Sequence, residues 1–423
     1  MPEIKSFKGV FFNSEKIKIE DAVSPPYDVI SPRMQDSFYN KSNVNIVRLI
    51  LSKEESNDNE VNNKYTRAAT TLDNWLKDEV LVYDKDSSIY YLEEIFYVNG
   101  ERKKRKGFIA LSKLEDFSKG NILPHEKTMH GPKADRLKLT KLCKCNFSQI
   151  FSVYSDDTGN SLKYIDNPKP IFNLNYDNVE YRFGKVTDSE SIKKLTEIMK
   201  DKKIFIADGH HRYETALAYR DYRRKIDGNP SMLMPYDFVM MYFSPIEHND
   251  LLILPTHRGV KNVNIHETDL IKKLSEYFHI DTFDKKELSK ILSQMKSLSY
   301  NDTLFTAYFG GEKCYMLTFN RVLKEKLNEY ESLDVQILQK FILEKCLLIT
   351  QEDLDNKTKI EYIKDIEYGL ELLESGELNG IFFMNSTKIE QVKNIALSGK
   401  KMPQKSTYFY PKLLTGLVIY KIE

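Results

Sequence analysis

Residues 204–215 read IFIADGHHRYET, and this stretch determines how the chain around it folds. Its first four residues are apolar, which is typical of a short buried strand. Polar residues follow at once, and the apolar spacing from Tyr213 to Arg224 then predicts a helix. We therefore expect a strand, a turn at Asp208 and Gly209, and the start of a helix.

The segment before this stretch has a helical pattern. Thr187 and Glu190 have the spacing of a capping box, and the apolar residues that follow lie on one helical face up to about Lys200. Working outward, we obtain a helix, strand, turn and helix in succession.

Nearer the N-terminus, residues 65–76 have helical spacing, and residues 88–98 are rich in β-forming residues. Asn99-Gly100 is a strong hairpin turn, so residues 107–111 are predicted to form the returning strand. The charged run at 101–106, ERKKRK, could contact an anion, but we expect a solvated strand end there.

The last third of the chain alternates helical patterns, as at 335–347, with short apolar runs such as GIFFM. The whole chain therefore predicts the α+β class, a mixed α/β protein. A chain of 423 residues is too long for one compact core, and prolines flank an apolar stretch between 230 and 245. We expect an N-terminal α/β region at 1–235 and a C-terminal α/β region at 236–423.

Composition excludes some classes of function. The chain has 63 Lys and Arg against 62 Asp and Glu, a net charge of +1, so no overall field attracts nucleic acid or an anionic membrane. Its four cysteines are sparse, and no run approaches the length of a membrane span. We expect a cytoplasmic protein with reduced thiols, no nucleic-acid or membrane partner, and an undetermined oligomeric state.

The turn at 208–212 has the residue types of a phosphate site. A helix N-terminus offers free N–H groups, Gly209 permits close approach of a ligand, and Arg212 can fork onto phosphate oxygens. His210 and His211 add pH-dependent donors. The alternative is that Asp208 caps the helix, Arg212 pairs with Glu214 or another neighbour, and the histidines are ordinary turn residues.

Three other segments could carry chemistry. LPHEKT at 123–128, followed by Asp135-Arg136, contains Glu126 beside His125, and this carboxylate could act as a general base if buried. PPYDVI at 25–30 is stiffened by two prolines, which suits a site wall or a structural corner. MPQKSTYFYPK at 402–412 could close over a nucleotide or dock its aromatic residues in a core.

Some familiar signatures are missing from the sequence. It contains no G-x-x-x-x-G-K-[ST], no G-x-G-x-x-G, no H-E-x-x-H and no G-x-S-x-G. Adjacent histidines point in different directions on a helix, and Cys143 and Cys145 lack two further ligands, so we predict no metal site in the protein.

Together, PPYDVI, LPHEKT with its later DR, ADGHHRYETAL and MPQKSTYFYPK resemble the bacterial and archaeal domain of unknown function family 1015 over nearly the whole chain. The ADGHHR segment also resembles the phosphate-binding motif of the ParB/sulfiredoxin superfamily, to which free-serine kinases belong. His210 stands where sulfiredoxin has its cysteine, so sulfinic-acid repair is not supported. The resemblance implies a ParB/sulfiredoxin-like nucleotide-binding core with additional α/β lobes.

The same resemblance implies a function. Gly209, His210, His211 and Arg212 would hold the phosphates of ATP or ADP, with Asp208 at the turn. Glu126, with His125, would deprotonate the hydroxyl of a small substrate such as free L-serine, and Mg²⁺ and Lys405 would help to neutralise charge. Two alternatives stay open: a nucleotide-binding regulator without catalysis, and a scaffold without a ligand.

Overall fold

The computed structural model describes residues 2–128, 130–248, 250–298 and 302–423, and it shows a mixed α/β protein. Contacts divide the chain into two compact units. The first unit contains Met1–Pro124, Thr128–Leu251 and Pro411–Glu423, and the second contains His125–Lys127 and Leu252–Tyr410. No helix of the described residues combines the length and apolarity needed to cross a membrane.

The first unit is built on a mixed sheet that has nine strands within the described residues. Along the sheet, hydrogen-bonded neighbours follow one another in the order Ile122–Leu123, Ile204–Asp208, Ile150–Tyr154, Phe238–Pro245, Glu101–Lys113, Ile89–Val98, Val179–Val186 and Lys169–Tyr176, and Ile4–Lys5 pairs with Glu101–Lys113. Two of these pairings are parallel, and the others are antiparallel. Two short ribbons join Val10–Phe12 to Leu81–Tyr83 and Cys145–Asn146 to Tyr420–Lys421.

The helices of the first unit lie between its strands in the sequence. They span Ile19–Ala22, Pro32–Lys41, Val47–Ile50, Lys64–Lys77, His130–Cys143, Asn160–Lys163, Ser189–Lys200 and His210–Ile226, with 3₁₀ turns at Tyr27–Val29, Phe117–Lys119 and Pro235–Asp237. The predicted helices at 65–76, before Lys200 and at 213–224 are confirmed. The predicted capping box is wrong: Asp188 is the N-cap, because its carboxylate accepts a hydrogen bond from the Ser191 N–H at 2.8 Å.

The second unit has an antiparallel sheet of six strands within the described residues. Their order is Phe278–Asp284, Lys313–Phe319, Leu304–Tyr308, Gly380–Met384, His257–Val260 and Ile360–Ile363. A two-stranded ribbon joins Leu252–Leu254 to Tyr408–Tyr410. Helices span Glu267–Leu274, Leu288–Leu298, Arg321–Lys324, Asp334–Ile337, Gln351–Asn356, Ile366–Glu374 and Ile389–Leu397, with a 3₁₀ turn at Lys285–Glu287 and a π-helix at Leu338–Cys346.

The strand Phe238–Pro245 bears on the domain organisation. It follows the boundary expected after residue 235, yet it belongs to the first unit, because it pairs with Glu101–Lys113 on one side and with Ile150–Tyr154 on the other. All eight of its residues are buried. The contacts accordingly divide the chain later, after Leu251, and return Pro411–Glu423 to the first unit.

The hairpin is confirmed, with strands at Ile89–Val98 and Glu101–Lys113. The expectation that its charged run is a solvated strand end is wrong for Arg105, whose side chain is 0% exposed. Arg105 lies opposite Glu94 in the strand register, and its Nε donates to the Glu94 carboxylate at 2.7 Å. Because side chains alternate between the two faces of a strand, Arg105 points inward, and its ion pair with Glu94 compensates the buried charge.

A buried histidine in the second unit makes its stability depend on pH. His257 is 3% exposed, and its Nδ1 accepts a hydrogen bond from the Met384 N–H at 3.2 Å. Burial, aided by Arg258 and Lys296, lowers its pKa from 6.5 to about 4. The folded chain therefore keeps this imidazole neutral between pH 6.5 and about 4, while the unfolded chain binds a proton there.

We expect the second unit to lose up to about 3 kcal/mol through His257 as the pH falls from 6.5 to about 4. The measurement is urea unfolding at several pH values, read by hydrogen-exchange labelling of peptides from the six-stranded sheet. A His257→Gln variant should lack this part of the pH dependence. The exposed His279→Gln variant is the matched control and should behave as the wild type does; identical pH profiles for all three proteins would contradict the assignment.

Candidate functional site

The predicted strand, turn and helix are all present at residues 204–226. Ile204–Asp208 is a strand, Gly209 is the N-cap, and His210–Ile226 is a helix that we call the turn helix. Gly209 has φ +93°, a left-handed conformation that a residue with a Cβ rarely adopts. A Cβ at this position would also lie 2.9 Å from the Arg212 side chain. The turn therefore requires glycine.

Gly209, and not Asp208, occupies the N-cap position of the turn helix. The Asp208 carboxylate accepts hydrogen bonds from Arg212 Nη2 at 2.7 Å and from the Lys412 ammonium. All three side chains are less than one-fifth exposed. Two cations around one carboxylate leave a net positive charge beside the turn, which favours an anionic ligand. Sequence reasoning missed Lys412, although it quoted the segment containing it.

Arg212 is held in place from a second direction. Its Nη1 donates to the Ser148 hydroxyl at 3.1 Å and to the Gln149 carbonyl. The alternative expected Arg212 to pair with Glu214 or another neighbour, and its Nη2 does pair with the neighbour Asp208, whereas Glu214 accepts from Thr128 and from Lys133, each at 2.7 Å. These contacts hold the guanidinium in one orientation.

The two histidines of the turn differ in burial. His210 is buried at 7% exposure, whereas His211 is intermediate, and its carbonyl accepts from the Thr215 hydroxyl at 2.7 Å. The side chains of consecutive residues on a helix point in different directions, as expected. Among the described residues, histidines, cysteines, aspartates and glutamates form no group of three or more that could hold a metal ion.

A cavity of about 690 Å³ lies along one face of the turn helix in the first unit. Arg212 lines it near the first turn, and Thr215, Ala216 and Tyr219 line it further along. Aromatic and aliphatic groups form much of the remaining wall: Tyr27, Ile50, Leu139, Phe147, Ile150, Tyr236, Phe238, Val239 and Ile422. Part of this space is open to solvent, and a mostly apolar wall with a few polar groups is typical of sites that bind a small organic ligand.

Residues of three quoted segments meet at this cavity. Tyr27 comes from PPYDVI, Arg136 from the DR pair, and Arg212 from ADGHHR, and all three line the wall. The Arg136 guanidinium lies 4.3 Å from the centroid of the Tyr27 ring and donates to the Ile50 carbonyl at 2.6 Å. Arg136 also pairs with Asp135, with its Nε at 2.8 Å. Two oriented guanidinium groups therefore face a largely apolar chamber.

The other predicted residues lie in the second unit. The Met402 N–H donates to the His125 carbonyl at 2.7 Å, and Glu126 forms a parallel bridge with Met402. His125 Nε2 lies 2.8 Å from the Thr407 hydroxyl oxygen, and its ring is buried. Residues 125–127 and 402–410, the parts of the segments LPHEKT and MPQKSTYFYPK that belong to this unit, are therefore joined to each other.

Lys405 adopts a left-handed conformation with φ +56°, and its carbonyl accepts from Arg258 Nη2 at 3.2 Å. Arg258 is 4% exposed and lies 4.8 Å from the centroid of the Tyr362 ring. Burial lowers the pKa of Arg258, while Tyr362 and Glu126 act to raise it. Sequence reasoning missed Arg258 and Tyr362, which belong to no quoted motif.

The structure thus distributes the predicted residues over two units. Asp208, Gly209, His210, His211 and Arg212 belong to the first unit. His125, Glu126 and Lys405 belong to the second. Within each set the residues are linked by the contacts above, and their catalytic and ligand-binding roles stay predictions.

No curated protein matches the chain. Among solved structures, a free serine kinase in complex with AMP is 13% identical, covers 70% of this chain and 89% of its own, and has a TM-score of 0.33. A conserved hypothetical protein from Pyrococcus furiosus is 12% identical, with coverages of 70% and 93% and a TM-score of 0.33.

SbnI with a C-terminal truncation, from Staphylococcus aureus, is 9% identical, covers 73% of this chain and 85% of its own, and has a TM-score of 0.36. Scores of this size are too low for these proteins to assign a fold or a ligand to the chain. The family described as "Protein of unknown function (DUF1015)" matches residues 4–336, nearly four-fifths of the chain. The protein therefore belongs to the DUF1015 family.

Proposed function

We propose that the first unit binds a nucleotide, ATP or ADP, and that the chain uses it as a small-molecule kinase. The observation that carries this proposal is the cavity along the turn helix, where Tyr27, Arg136 and Arg212 converge from separate segments of the chain. The phosphates would lie against the turn at Gly209 and Arg212, and the base and ribose would occupy the apolar part of the chamber.

The charges of the site support an anionic ligand. Asp208 is the carboxylate at the turn, and Arg212 and Lys412 both contact it. Arg136 adds a third cation and its partner Asp135 a second carboxylate, which leaves one net positive charge among these five groups. The Arg136 guanidinium is oriented by the Ile50 carbonyl and the Tyr27 ring. Planar guanidinium groups bind phosphate oxygens with two parallel hydrogen bonds, so both arginines suit this task.

The lining of the cavity supports a nucleoside attached to those phosphates. Aromatic side chains from Tyr27, Phe147, Tyr219 and Phe238 line it, and aromatic faces stack readily on a base. Inorganic phosphate alone would leave this apolar surface uncovered.

The chemical step rests on the family resemblance. Phosphoryl transfer needs positioning and neutralisation of charge, and a carboxylate can accept the proton of the attacking hydroxyl. Glu126 is our candidate for that carboxylate, with His125 beside it, and free L-serine is the candidate acceptor. Because the described residues form no group of three metal-binding side chains, Mg²⁺ would be held mainly by the phosphates of the nucleotide.

Nucleotide binding is tested by calorimetric titration of the full chain with ADP and with ATP. Arg212→Met and Arg136→Met should each weaken binding by ~10-fold or more, because each removes a charge-assisted contact to phosphate. Arg212→Lys should bind with intermediate affinity, since it keeps the charge but loses the planar fork.

The matched control is Arg220→Met, on the same helix. Arg220 donates to the Leu114 carbonyl at 3.3 Å and does not line the cavity, so its replacement should leave nucleotide affinity unchanged. Melting curves followed by Trp75 fluorescence check that each variant is folded. Equal affinity in all the arginine variants, or no binding of either nucleotide, would remove the site. Tight binding with no product over a panel of hydroxyl acceptors would favour a regulatory role.

A further inference from the structure

The second unit contains a cavity of its own, distinct in character from the one along the turn helix. It contains about 430 Å³ of space, part of which is open to solvent, and its wall is mostly polar. Four glutamines, two tyrosines and one residue of each charge line it, together with two apolar residues: Gln336, Gln339, Gln351, Gln404, Tyr330, Tyr362, Lys127, Asp355, Leu354 and Pro403. Such a wall suits a ligand with many hydroxyl groups, because amides both donate and accept hydrogen bonds.

A chain of hydrogen bonds orients part of this wall. Gln339 Nε2 donates to the Gln351 side-chain oxygen at 3.4 Å, and Gln351 Nε2 donates to the Asp355 carboxylate at 2.8 Å. The Asp355 charge is therefore partly satisfied within the wall. Side chains fixed in this way lose little entropy when a ligand binds.

The positively charged residue of the cavity wall, Lys127, is available to a ligand. Lys127 follows Glu126 in LPHEKT, and its side chain is exposed. Among the residues that the structure describes, no carboxylate forms an ion pair with the Lys127 ammonium. The Asp355 carboxylate keeps its charge, since its donor is a neutral amide, so Lys127 is the group of this wall that can pair with a negative group of a ligand.

The backbone around the cavity is unusual in two places. Gln339 lies on the π-helix Leu338–Cys346, a conformation that is rare and frequently occurs at functional sites. Pro403 and Gln404 precede Lys405, whose left-handed conformation is uncommon for a residue with a side chain. Tyr362 also lines the cavity, and its ring contacts the buried Arg258 guanidinium. The π-helix contributes a lining residue directly, whereas Lys405 and Arg258 lie next to lining residues and not in the wall itself.

We propose that this cavity binds a polyhydroxyl molecule of monosaccharide size that carries one anionic group. The glutamine amides would pair with its hydroxyl groups, the tyrosine rings would cover its C–H faces, and Lys127 would pair with its carboxylate or phosphate. This site lies within the second unit and does not depend on nucleotide binding by the first.

Calorimetric titration of the full chain, without nucleotide, tests this proposal with D-glucuronate, glucose 6-phosphate and D-glucose as probes. At least one anionic sugar should bind saturably, and ~10-fold more tightly than D-glucose, because only the anionic probes pair with Lys127. The two anionic probes distinguish a carboxylate from a phosphate ligand. Lys127→Met should abolish this preference, and Gln351→Met should weaken all binding.

Two control variants isolate the site. Lys290→Met replaces an exposed lysine of the same unit that does not line the cavity, and it should bind the probes as the wild type does. Arg212→Met should also leave sugar binding intact, so failure of the nucleotide site would not affect this result. The proposal is overturned if no sugar binds at ~10 mM, if Lys127→Met keeps the preference for anionic sugars, or if L-serine competes for the site.

Discussion

Replacement of Arg105 by methionine should destabilise the first unit by about 3–5 kcal/mol, because it leaves the Glu94 carboxylate buried without its partner. Both side chains are 0% exposed, and Arg105 Nη2 lies 2.6 Å from the Glu94 Oε2 atom. Arg105 also donates to the Pro411 carbonyl at 2.7 Å and lies 4.6 Å from the centroid of the Phe151 ring. The substitution removes all of these contacts at once.

The measurement uses a probe that the chain provides. Trp75 is the single tryptophan, belongs to the first unit and packs near Phe12, so its fluorescence follows urea unfolding of that unit. Burial raises the pKa of Glu94 above its ordinary range. The Arg105→Met variant should therefore lose less stability at pH 5 than at pH 8, since the orphaned carboxyl binds a proton more readily in acid.

A double variant separates the orphaned charge from simple loss of packing. Glu94→Leu combined with Arg105→Met removes both charges, and it should recover much of the lost stability, since replacing a whole buried pair is often nearly neutral. Lys104→Met, one position away and half exposed, is the control and should change stability by less than about 0.5 kcal/mol. A loss below about 1 kcal/mol in the single variant would contradict this account.

Local signals were sufficient for much of the fold. Asn99-Gly100 predicts its hairpin because the turn type follows from two residues, and the structure has both strands. The strand, turn and helix at 204–226 are likewise determined by periodicity and by one glycine. Such features depend on neighbours only a few positions away, so a single sequence contains them.

Long-range partners could not be predicted in this way. In the sequence, Arg105 is one of six consecutive charged residues. Only its pairing with Glu94 across the hairpin shows that its side chain points inward. The Asp208 and Lys412 side chains meet although 204 positions separate them in sequence. Periodicity predicted the helix at 335–347 but not its π-helical part, because a π-helix differs from an α-helix in hydrogen bonding rather than in composition.

The candidate site was predicted in its parts and not in its grouping. The motifs contained Arg212, Arg136 and Tyr27, and the structure brings these three to one cavity. Glu126 and Lys405 were expected to act with the turn, and they are found in the second unit with Arg258 and Tyr362. Motif spacing does not show which segments share a cavity, since that depends on the tertiary fold.

Replacement of Glu126 by glutamine should abolish phosphoryl transfer to the acceptor while nucleotide affinity stays unchanged. The expected loss is ~10²–10⁴-fold in kcat, the usual contribution of a general base, because the amide cannot accept the proton of a hydroxyl. Melting curves check the fold of the variant: the bridge between Glu126 and Met402 uses backbone atoms, but the Glu126 side chain also acts on the buried Arg258 guanidinium. The assay is phosphoserine formation from L-serine with ATP or ADP, and calorimetry reports nucleotide binding separately.

Two further variants show how the result for Glu126→Gln is interpreted. Glu361→Gln replaces another partly exposed carboxylate of the second unit, paired with Lys261 at 2.9 Å, and it should keep full activity. Arg212→Ala should lose both activity and nucleotide affinity, because in the proposed site Arg212 binds the phosphates and does not accept the proton of the hydroxyl. If Glu126→Gln turns over as fast as the wild type, Glu126 is not the base, and the carboxylate that accepts the proton must be sought among the other acidic residues of the chain.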